Sequence, residues 1–335
     1  MSWDLSAVVK SFSGKRVAVV GDLMLDCYVW GKVDRISPEA PVPVVRVEKV
    51  NFRLGGAGNV LRNIATLGGK AAAFGAVGND HEAEEMFREF ASYGIDTNNI
   101  VTDHTRRTTV KRRILSGSQQ LMRVDYEDAS EADQAIRDDI AERLSAALKN
   151  NCFDAVIIED YAKGLLSEDM AQKIVDTANS CNVPVILDPK PRHQMYLHGL
   201  TLIKPNRSEA YAMASLPCPD TPDTPEQLTE VAERIKKAWG TENLLISLAS
   251  EGMALFEKNN LTMLPTRARE VYDVCGAGDT VIAAVTLGLA AGNAATASAA
   301  VANHAAGIVV AKVGTVTVSS VELLKEIEKS LNFQE

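Results

Sequence analysis

The feature that most constrains the fold is a set of short, continuously apolar runs that recur along the chain. Because successive residues in each run are apolar, the runs predict strands covered on both faces rather than strands with one face in water. The runs are RVAVVGD (16–22), KAAAFGAVG (70–78), DAVIIED (154–160), VPVILDPK (183–190), TLIKPN (201–206) and NLLISLAS (243–250).

Amphipathic segments between these runs predict helices over 80–94, 132–149, 167–181 and 224–238. Strands that alternate with helices are typical of an α/β fold with a doubly wound, mostly parallel sheet. The sequence contains no convincing linker and no internal repeat, so we expect residues 1–335 to form one domain.

Two regions, about 28–50 and 106–127, break the alternation, with polar residues between the apolar ones. The second predicts a hairpin around Ser116–Gly117–Ser118. The first carries three prolines, which disrupt a central strand but suit an edge strand or a projecting flap: Pro38, Pro41 and Pro43. We therefore expect a small β-sheet that projects from the main sheet as a lid.

The charge and the cysteine content exclude some partners. A net charge of −9 over 335 residues argues against nucleic acid or an anionic membrane as the main partner. It allows a phosphorylated small molecule, which a few local Lys and Arg side chains can bind. The five cysteines include no CxxC pair, which argues against a disulfide framework or a structural zinc site and fits a reducing cytosol.

Neither end of the chain predicts a membrane segment. MSWDLSAVVKSFSGK has no basic region ahead of a long apolar core, so no signal peptide is evident. The most apolar stretch, 281–310, is interrupted by Asn293, Asn303 and His304 and is rich in Ala and Gly. It predicts two packed helices rather than a membrane span, and we expect a cytoplasmic protein.

Polar residues stand at the ends of several predicted strands. A single one is commonly a helix cap or a turn residue. Because the carboxyl ends of parallel strands meet at one edge, where such sheets bind ligands, four such ends together favour a site. These residues are Asp22, Asp160, Asp188, Lys190 and Asn206.

The stretch GAGD at 276–279 precedes a long apolar run that predicts a buried helix. Gly276, Ala277 and Gly278 can present backbone N–H groups at the helix N-terminus as an anion hole. Asp279 would then accept a proton from a hydroxyl that attacks a phosphoryl group. On the local sequence alone, Asp279 as a simple helix cap is an equal alternative.

Motifs of other nucleotide-binding classes are missing from the sequence. It contains no GxxxxGK[ST], no HRD or DFG set, and no GxGxxG after a strand. A P-loop ATPase, a protein kinase and a typical dinucleotide enzyme are therefore disfavoured.

Three motifs in order carry a resemblance to a known family. DVCGAGDT (273–280) and RLGGAGNVLRNIATLGG (53–69) resemble the C-terminal and N-terminal signatures of the ribokinase-like (PfkB) carbohydrate kinases, and NRSE (206–209) resembles their NxxE motif. The likeness covers about 16–318. It implies a ribokinase-like doubly wound fold with a β lid, and ATP as the phosphate donor.

Other segments are similar to the kinase domain of the bifunctional enzymes of ADP-heptose synthesis. They are RISPEAPVPVV (35–45), QQLMRVDYE (119–127), DYAKG (160–164) and LDPK (187–190). This likeness implies phosphate transfer to the C1 hydroxyl of D-glycero-β-D-manno-heptose 7-phosphate, giving the 1,7-bisphosphate used for the lipopolysaccharide core. Many such enzymes continue into a nucleotidyltransferase domain with an HxGH motif, which is missing here, so we expect the stand-alone kinase form. Cys275 stands where the family usually has a small hydroxyl residue.

For the nucleotide side, the resemblance implies that Asp279 is the base and that Gly276–Gly278 form the anion hole. Asn206 and Glu209 would organise Mg²⁺ and the phosphates, Glu209 through water. Taken without the resemblance, Asn206 as an N-cap with Glu209 as its capping-box partner remains an alternative. The adenine pocket is expected at 247–252, including Ser247 and Gly252, and near Asn303.

For the sugar side, the resemblance implies that Asp22 binds hydroxyls and that the second glycine loop approaches the ring through Gly55, Gly56 and Asn59. Lys111 and Arg113, with Arg112, form a basic cluster on the lid that suits a distal phosphate, although a solvated basic edge would look the same. Four residues lie where the phosphates would pass, and the sequence does not divide their roles: Asp160, Lys163, Asp188 and Lys190.

Two alternatives to the heptose kinase remain open at this point. One is another ribokinase-like kinase, acting on a pentose, a fructose phosphate or a nucleoside. The other is a non-catalytic sugar or nucleotide sensor on the same fold. In each case we expect a small-molecule ligand and a homodimer formed through the lid, whose apolar faces one small sheet can hardly bury alone.

Overall fold

The computed structural model describes residues 3–117, 119–258, 260–268 and 271–332. Its larger sheet has nine strands in the order β13-β12-β11-β10-β9-β8-β1-β4-β5, parallel from β11 to β5 and antiparallel at β12 and β13. These strands are β1 (Arg16–Gly21), β4 (Lys70–Gly78), β5 (Asp96–Asp103), β8 (Ala155–Glu159), β9 (Val185–Asp188), β10 (Leu202–Ile203), β11 (Asn243–Ser247), β12 (Met253–Glu257) and β13 (Asn260–Leu264).

Helices cover both faces of this sheet. One core contains buried residues of α1, α2, α3, α8, α9 and α10, and the other contains those of α4, α5, α6 and α7. The helices are α1 (Leu5–Lys10), α2 (Ala57–Thr66), α3 (His81–Ser92), α4 (Gln134–Lys149), α5 (Glu168–Ser180), α6 (Arg207–Met213), α7 (Pro225–Trp239), α8 (Ala277–Ala290), α9 (Ala295–Val310) and α10 (Ser320–Asn332).

Strand β1 shows why the predicted runs are continuously apolar. Val17 and Val19 pack into the first core, whereas Ala18 and Val20 pack into the second. Because side chains alternate across a strand, both sets must be apolar when both faces are covered. The predicted doubly wound, mostly parallel sheet is confirmed.

A separate sheet of four strands forms the lid, in the order β3-β2-β6-β7. Pro43 is the first residue of an edge strand, where its missing N–H leaves no ladder bond unmade. Ser118 of the predicted hairpin lies outside the described residues, but the antiparallel pairing on either side of it is present. The strands are β2 (Leu23–Ile36), β3 (Pro43–Gly56), β6 (Thr109–Ser116) and β7 (Gln119–Tyr126).

The lid strands differ from the predicted bounds of 28–50 and 106–127. Strand β2 begins at Leu23, one residue after Asp22, and β3 runs on to Gly56. The inner parts of both strands cover the core, and Leu25 and Leu54 are fully buried. Because these inner parts are as apolar as the main strands, the sequence does not show where the main sheet ends and the lid begins. Only Asp22 separates β1 from β2.

The apolar stretch 281–310 falls on two helices, α8 and α9, which pack against each other as predicted. Within the described ranges, no helix is both long enough and apolar enough to span a membrane. Three strands were not predicted: β5, β12 and β13.

Candidate active site

The first turn of α8 places Asp279 at the carboxyl ends of the main strands. Gly276 is the N-cap and has a φ of 80°, in the left-handed region that favours glycine. A Cβ at Gly276 would lie 2.9 Å from Asn59 Nδ2, so glycine also allows α2 to approach. The predicted anion hole needs one correction, because the Ala277 amide already donates to the Val274 carbonyl at 3.3 Å. The N–H groups of Gly278 and Asp279, in the first helical turn, have no intrahelical acceptor.

The Asp279 carboxylate is held at both oxygens. Asn59 Nδ2 donates to Oδ2 at 2.5 Å, and the Tyr161 hydroxyl donates to Oδ1 at 3.2 Å. Burial raises the pKa of Asp279 above its ordinary value, while the bond from Asn59, the charge of Lys204 and the bond from Tyr161 partly oppose the rise. A partly buried carboxylate with two donors and a raised pKa is a candidate base.

Helix α2 fixes the position of α8 through polar side chains that are themselves buried. Asn63 Oδ1 accepts from the Thr280 hydroxyl at 2.8 Å. Arg62 Nη2 donates to the Thr315 carbonyl at 3.1 Å, beside the end of α9. Gly56 is the N-cap of α2, and a Cβ there would lie 2.8 Å from the Asp22 carbonyl. The N-terminal glycine motif therefore positions the C-terminal one.

Lys204 was missed by the sequence interpretation, although TLIKPN places it at a strand end. Its Nζ lies 2.8 Å from Asp188 Oδ2, and a Cβ at Gly278 would lie 3.5 Å from Nζ. Burial alone would lower the pKa of Lys204, but the charge and hydrogen bond of Asp188 outweigh it and the pKa is raised. A buried ammonium therefore stands beside the N-terminus of α8.

Glu159, at the end of β8, was also missed. It is buried, and its Oε2 has no hydrogen-bond partner among the residues that the structure describes. Burial, followed by the charges of Asp188 and Asp279, raises the pKa of Glu159 well above its ordinary value. The carboxyl ends of the strands therefore hold more acidic side chains than the sequence analysis predicted.

The loop that follows β8 uses most of the predicted strand-end acids. Asp22 Oδ2 accepts from the backbone amides of Tyr161 at 2.9 Å and Lys163 at 3.1 Å. Asp160 accepts from the Ala162 amide at 2.7 Å and lies 2.9 Å from His193 Nδ1. These contacts fix the shape of the loop. Burial, the largest effect, raises the pKa of Asp22.

Two further cations predicted at this edge have carboxylate partners. Lys163 Nζ lies 2.6 Å from Glu127 Oε2, which is just beyond lid strand β7. Lys190 Nζ lies 2.9 Å from Glu209 Oε1. Loop 160–164 therefore connects Asp279, through Tyr161, with the lid side, through Lys163.

Lys111 and Arg113 share one face of β6, as predicted. Lys111 Nζ lies 5.7 Å from the centroid of the Tyr161 ring, and Arg113 Nη1 donates to Asp26 Oδ1 at 2.5 Å. None of the ion pairs between described residues involves Lys111. Arg112 points to the other face, 3.6 Å from Glu82, so its inclusion in the cluster was wrong. Successive residues of a strand face opposite sides.

Asp26 is another residue that the sequence interpretation missed. It is buried, and its Oδ2 would lie 3.1 Å from a Cβ at Gly55. It is paired in register with Lys111, so it stands between the glycine loop and the lid cations. The stretch GDLMLD did not indicate a site at Asp26. Residues 23–26 belong to lid strand β2, so Asp26 does not stand at a strand end as Asp22 does.

On the nucleotide side, Asn206 and Glu209 form a capping box at the start of α6. Asn206 Oδ1 accepts from the Glu209 amide at 2.9 Å, and Glu209 Oε2 accepts from the Asn206 amide at 3.0 Å. The capping alternative therefore describes the contacts that Asn206 and Glu209 make with each other. Ser247 forms an isolated bridge with Asn206, at the same edge.

Residues 247–252 and Asn303, where the adenine is expected, contact the segment that follows β13. Asn303 Nδ2 donates to the Pro265 carbonyl at 2.7 Å, which anchors this segment. Gly252 lies against the Leu264 carbonyl, where a Cβ would be 2.1 Å away. Burial lowers the pKa of His304 to about 4, so the ring is neutral at pH 7. The geometry gives these residues structural contacts and leaves their binding role as a prediction.

A cavity beside Asp22 lies between the main sheet and the lid. Its lining includes Asp103, Arg107, Thr109 and Lys163. Among the described residues, no group of three or more His, Cys, Asp or Glu side chains is placed to bind a metal.

Comparison with known proteins shows the family to which the chain belongs. Residues 15–322 match the pfkB family of carbohydrate kinases. The chain therefore belongs to this family, and its class is that of an ATP-dependent carbohydrate kinase.

Curated relatives carry the name "Bifunctional protein HldE". The chain is 44% identical to that of Caulobacter vibrioides over 323 residues, which cover 95% of the chain and 65% of the relative. It is 42% identical to that of Trichlorobacter lovleyi over 310 residues, which cover 92% of the chain and 62% of the relative. The chain thus spans less than two thirds of the length of these two relatives.

Solved structures share the fold at lower identity. A ribokinase from Arabidopsis thaliana, complexed with ribose and ATP, has a TM-score of 0.71 and 19% identity, covering 94% of this chain and 99% of that one. Phosphofructokinase-2 from Escherichia coli, in complex with substrates and products, has a TM-score of 0.75 and 17% identity, with the same coverage of 94% and 99%. At these identities the likeness concerns the fold, which is ribokinase-like.

Proposed function

We propose that this kinase transfers the γ-phosphate of ATP to the C1 hydroxyl of D-glycero-β-D-manno-heptose 7-phosphate, giving the 1,7-bisphosphate for ADP-heptose and the lipopolysaccharide core. The observation that carries the proposal is the partly buried Asp279 carboxylate at the N-terminus of α8, which accepts hydrogen bonds from Asn59 and Tyr161. The choice of sugar is supported by the segments similar to ADP-heptose enzymes and by relatives named HldE at about 40% identity.

In the reaction, Asp279 accepts the proton of the C1 hydroxyl as that oxygen attacks the γ-phosphorus. The bond between the γ-phosphorus and its bridging oxygen breaks, and ADP leaves. The Gly278 and Asp279 amides, in the first turn of α8, and the nearby Lys204 ammonium would stabilise the negative charge that develops on the phosphoryl oxygens. Donors that are already oriented in a water-poor site stabilise such a transition state.

Mg²⁺ enters with ATP in this proposal. Mg²⁺ usually keeps several waters and binds phosphate oxygens together with one or two carboxylates. Asp188 and Glu209 would hold it, Glu209 through water, because both Glu209 oxygens already accept hydrogen bonds. When bound, the ion neutralises charge on the phosphates.

For the nucleotide, we assign the phosphates to Asn206, Glu209 and the Gly276–Gly278 turn. The adenine would lie by Ser247, Gly252 and Asn303. Support for this arrangement is positional, since the Asn206–Ser247 bridge and the Asn303–Pro265 bond bring these segments to the same end of the sheet as Asp279.

For the sugar, we assign hydroxyl recognition to the Asp22 loop, to Asp26 and to the glycine loop, with Gly55, Gly56 and Asn59. Lys111 and Arg113 would bind the distal phosphate. Lys163, Asp160, Asp188 and Lys190 support the loops between these groups through the ion pairs and hydrogen bonds described above.

The lid is also the surface for which we propose a homodimer. Several of its apolar side chains are exposed: Ile36, Val42, Val47, Val50 and Met122. Packing of two lids in a twofold dimer would bury them and cover both sites. All five cysteines are free, in keeping with the reducing cytoplasm that we assign to the protein.

A substrate panel with ATP and Mg²⁺ tests the function. It compares heptose 7-phosphate with the unphosphorylated heptose, ribose and fructose 6-phosphate. We expect the highest kcat/KM with heptose 7-phosphate and a product labile at the anomeric phosphate. More efficient turnover of another sugar would replace heptose by that sugar, and binding without any turnover would favour the sensor.

A further inference from the structure

Tyr161 lies at the centre of the site, and the reaction as written above gives it no part. Its hydroxyl donates to Asp279 Oδ1 at 3.2 Å, and its amide donates to Asp22 Oδ2 at 2.9 Å. The next residue, Ala162, has a φ of 54°, a left-handed conformation that is costly for a residue with a Cβ. The surrounding contacts therefore hold the loop in the shape that directs the phenol toward the base.

The two oxygens of Asp279 accept from different elements. Asn59 on α2 binds Oδ2, and Tyr161 on the loop after β8 binds Oδ1. A carboxylate bound at both oxygens has a fixed plane, so the lone pairs that remain point in fixed directions. Proton transfer depends strongly on this orientation.

We propose that Tyr161 is a positioning residue for phosphoryl transfer: its hydroxyl fixes Asp279 Oδ1 and stabilises the ionised carboxylate that accepts the substrate proton. The inference rests on the proposed role of Asp279 as the base. In the step, the substrate O–H bond breaks, the proton goes to Asp279, and the oxygen forms its bond to the γ-phosphorus as ADP leaves. Tyr161 keeps its own proton throughout.

The surroundings of Tyr161 support a donor rather than an acid. Burial is the largest effect that raises the pKa of Tyr161 well above its ordinary value, and the charge of Asp279 adds to it. The phenol therefore stays protonated across the working pH range and always offers its hydrogen to the carboxylate.

Other charged groups face the Asp279 carboxylate from several elements. The cations are Lys204, after β10, and Arg62, on α2. The acids are Asp26 on β2, Glu159 on β8 and Asp188 on β9. Removal of the Tyr161 hydroxyl alone leaves all of them in place, so a change in the pH profile would report on that one hydrogen bond.

The test is Tyr161→Phe in the full chain. The ring remains, so Lys111 keeps its contact 5.7 Å from the ring centroid. Without the donor the ionised carboxylate is less stable, so the Asp279 pKa rises further. We expect the acid limb of kcat/KM for the sugar phosphate to move up by about one pH unit, and kcat to fall roughly ten-fold, the size of one lost hydrogen bond to a charged group. The KM for ATP should change less than about two-fold, since Tyr161 is assigned no contact with the nucleotide.

Tyr196→Phe is the matched control. It deletes the same atom from an exposed tyrosine whose hydroxyl donates to Gln194 Oε1 at 3.0 Å, and it should leave the profile unchanged. A fluorinated tyrosine at position 161 keeps the phenol, so it tests the inference even if Tyr161→Phe does not fold. It is a stronger donor, so the acid limb should move to lower pH.

An acid limb that stays at the wild-type pH in both position-161 variants would overturn the inference. Failure of the proposed function has a different signature. In that case the wild-type enzyme phosphorylates no sugar of the panel, or Asp279→Asn keeps its kcat, whatever the position-161 variants do.

Discussion

Asn59 and Asp279 are 220 residues apart in the chain, yet Asn59 Nδ2 donates to Asp279 Oδ2 at 2.5 Å. The contact joins the first turn of α2 to the first turn of α8, and with them the two glycine motifs. The distance between the glycine loop at 55–56 and Asp279 is therefore set by helix packing rather than by a flexible loop. Asn63, one turn further along α2, reinforces it by accepting from Thr280.

Asn59→Ala should lower kcat by roughly ten-fold or more, because the base loses a hydrogen bond to its charged form, worth about 1.5–3 kcal/mol. Asn59→Asp should be worse and should move the acid limb of the pH profile upward, since a second carboxylate at this distance disfavours ionisation of Asp279. Steady-state kinetics against pH measures both effects. A pH profile of Asn59→Asp that matches the wild type would contradict the assigned contact.

Asp279→Asn should abolish turnover and change ATP binding little. The amide keeps the size of the carboxylate and can still bond Asn59 or Tyr161, but it cannot take the proton. Calorimetry with ATP and a coupled assay for ADP separate the two properties. Near-normal kcat in this variant would remove Asp279 from the role of base.

The alternation of apolar runs and amphipathic segments was enough to predict the main sheet and its helices, because strands buried on both faces carry a clear signal. It failed at β5, β12 and β13. Strand β5 reads DTNNIVTD and lies at one edge of the sheet, and β13 lies at the other edge, so neither needs two apolar faces. Strand β12, MALFE, is short and follows β11 closely.

The residues of the candidate site also divide into those that the sequence pattern predicted and those that it did not. Local patterns predicted the glycine turn before α8 with Asp279. Tyr161, Lys204 and Asp26 were missed because their contacts come from packing between distant elements. Arg112 is different: the period of two along a strand already places it opposite Lys111 and Arg113, and the prediction overlooked this.

The ion pair between His193 and Asp160 predicts a pH-dependent stability. The hydrogen bond to Asp160 is the main cause that raises the pKa of His193 in the folded state. A raised pKa means that the contribution is complete below the unfolded value, about 6.5, and is lost as pH rises through the folded value. His193→Gln should therefore lower Tm more at pH 5.5 to 6 than at pH 8.5 to 9. An equal loss of Tm at both ends would contradict the ion pair.

The lid dimer makes a prediction about the surface. Val47 on β3 is 54% exposed and Val321 on α10 is 58% exposed. The two side chains are therefore similarly exposed, but only Val47 lies on the lid. Val47→Glu should dissociate the dimer, because a charge would be buried at the interface, whereas Val321→Glu should not. Sedimentation velocity at micromolar concentration measures the mass. A wild-type monomer at that concentration would rule out the lid dimer.

The last prediction concerns the distal phosphate. Arg113→Ala should raise the KM for heptose 7-phosphate by about ten-fold or more and leave the KM for ATP nearly unchanged, since a charge-assisted contact with a dianion is worth roughly 1.5–3 kcal/mol. Arg113 is paired with Asp26 at 2.5 Å, whereas Lys111 has no ion pair among the described residues. Lys111→Met should therefore raise the same KM at least as much, because no carboxylate already compensates that charge.

Arg112→Ala is the matched control for both lid variants, because its guanidinium is on the opposite face, beside Glu82. It should leave both KM values near wild type. The discriminating measurement is the ratio of kcat/KM for heptose 7-phosphate to that for the unphosphorylated heptose. A cation that binds the distal phosphate lowers this ratio when removed, whereas one that only shapes the lid lowers both values together. An unchanged ratio in both Lys111→Met and Arg113→Ala would move the phosphate site away from this face of β6, and Arg107, on the cavity beside Asp22, would be the next residue to substitute.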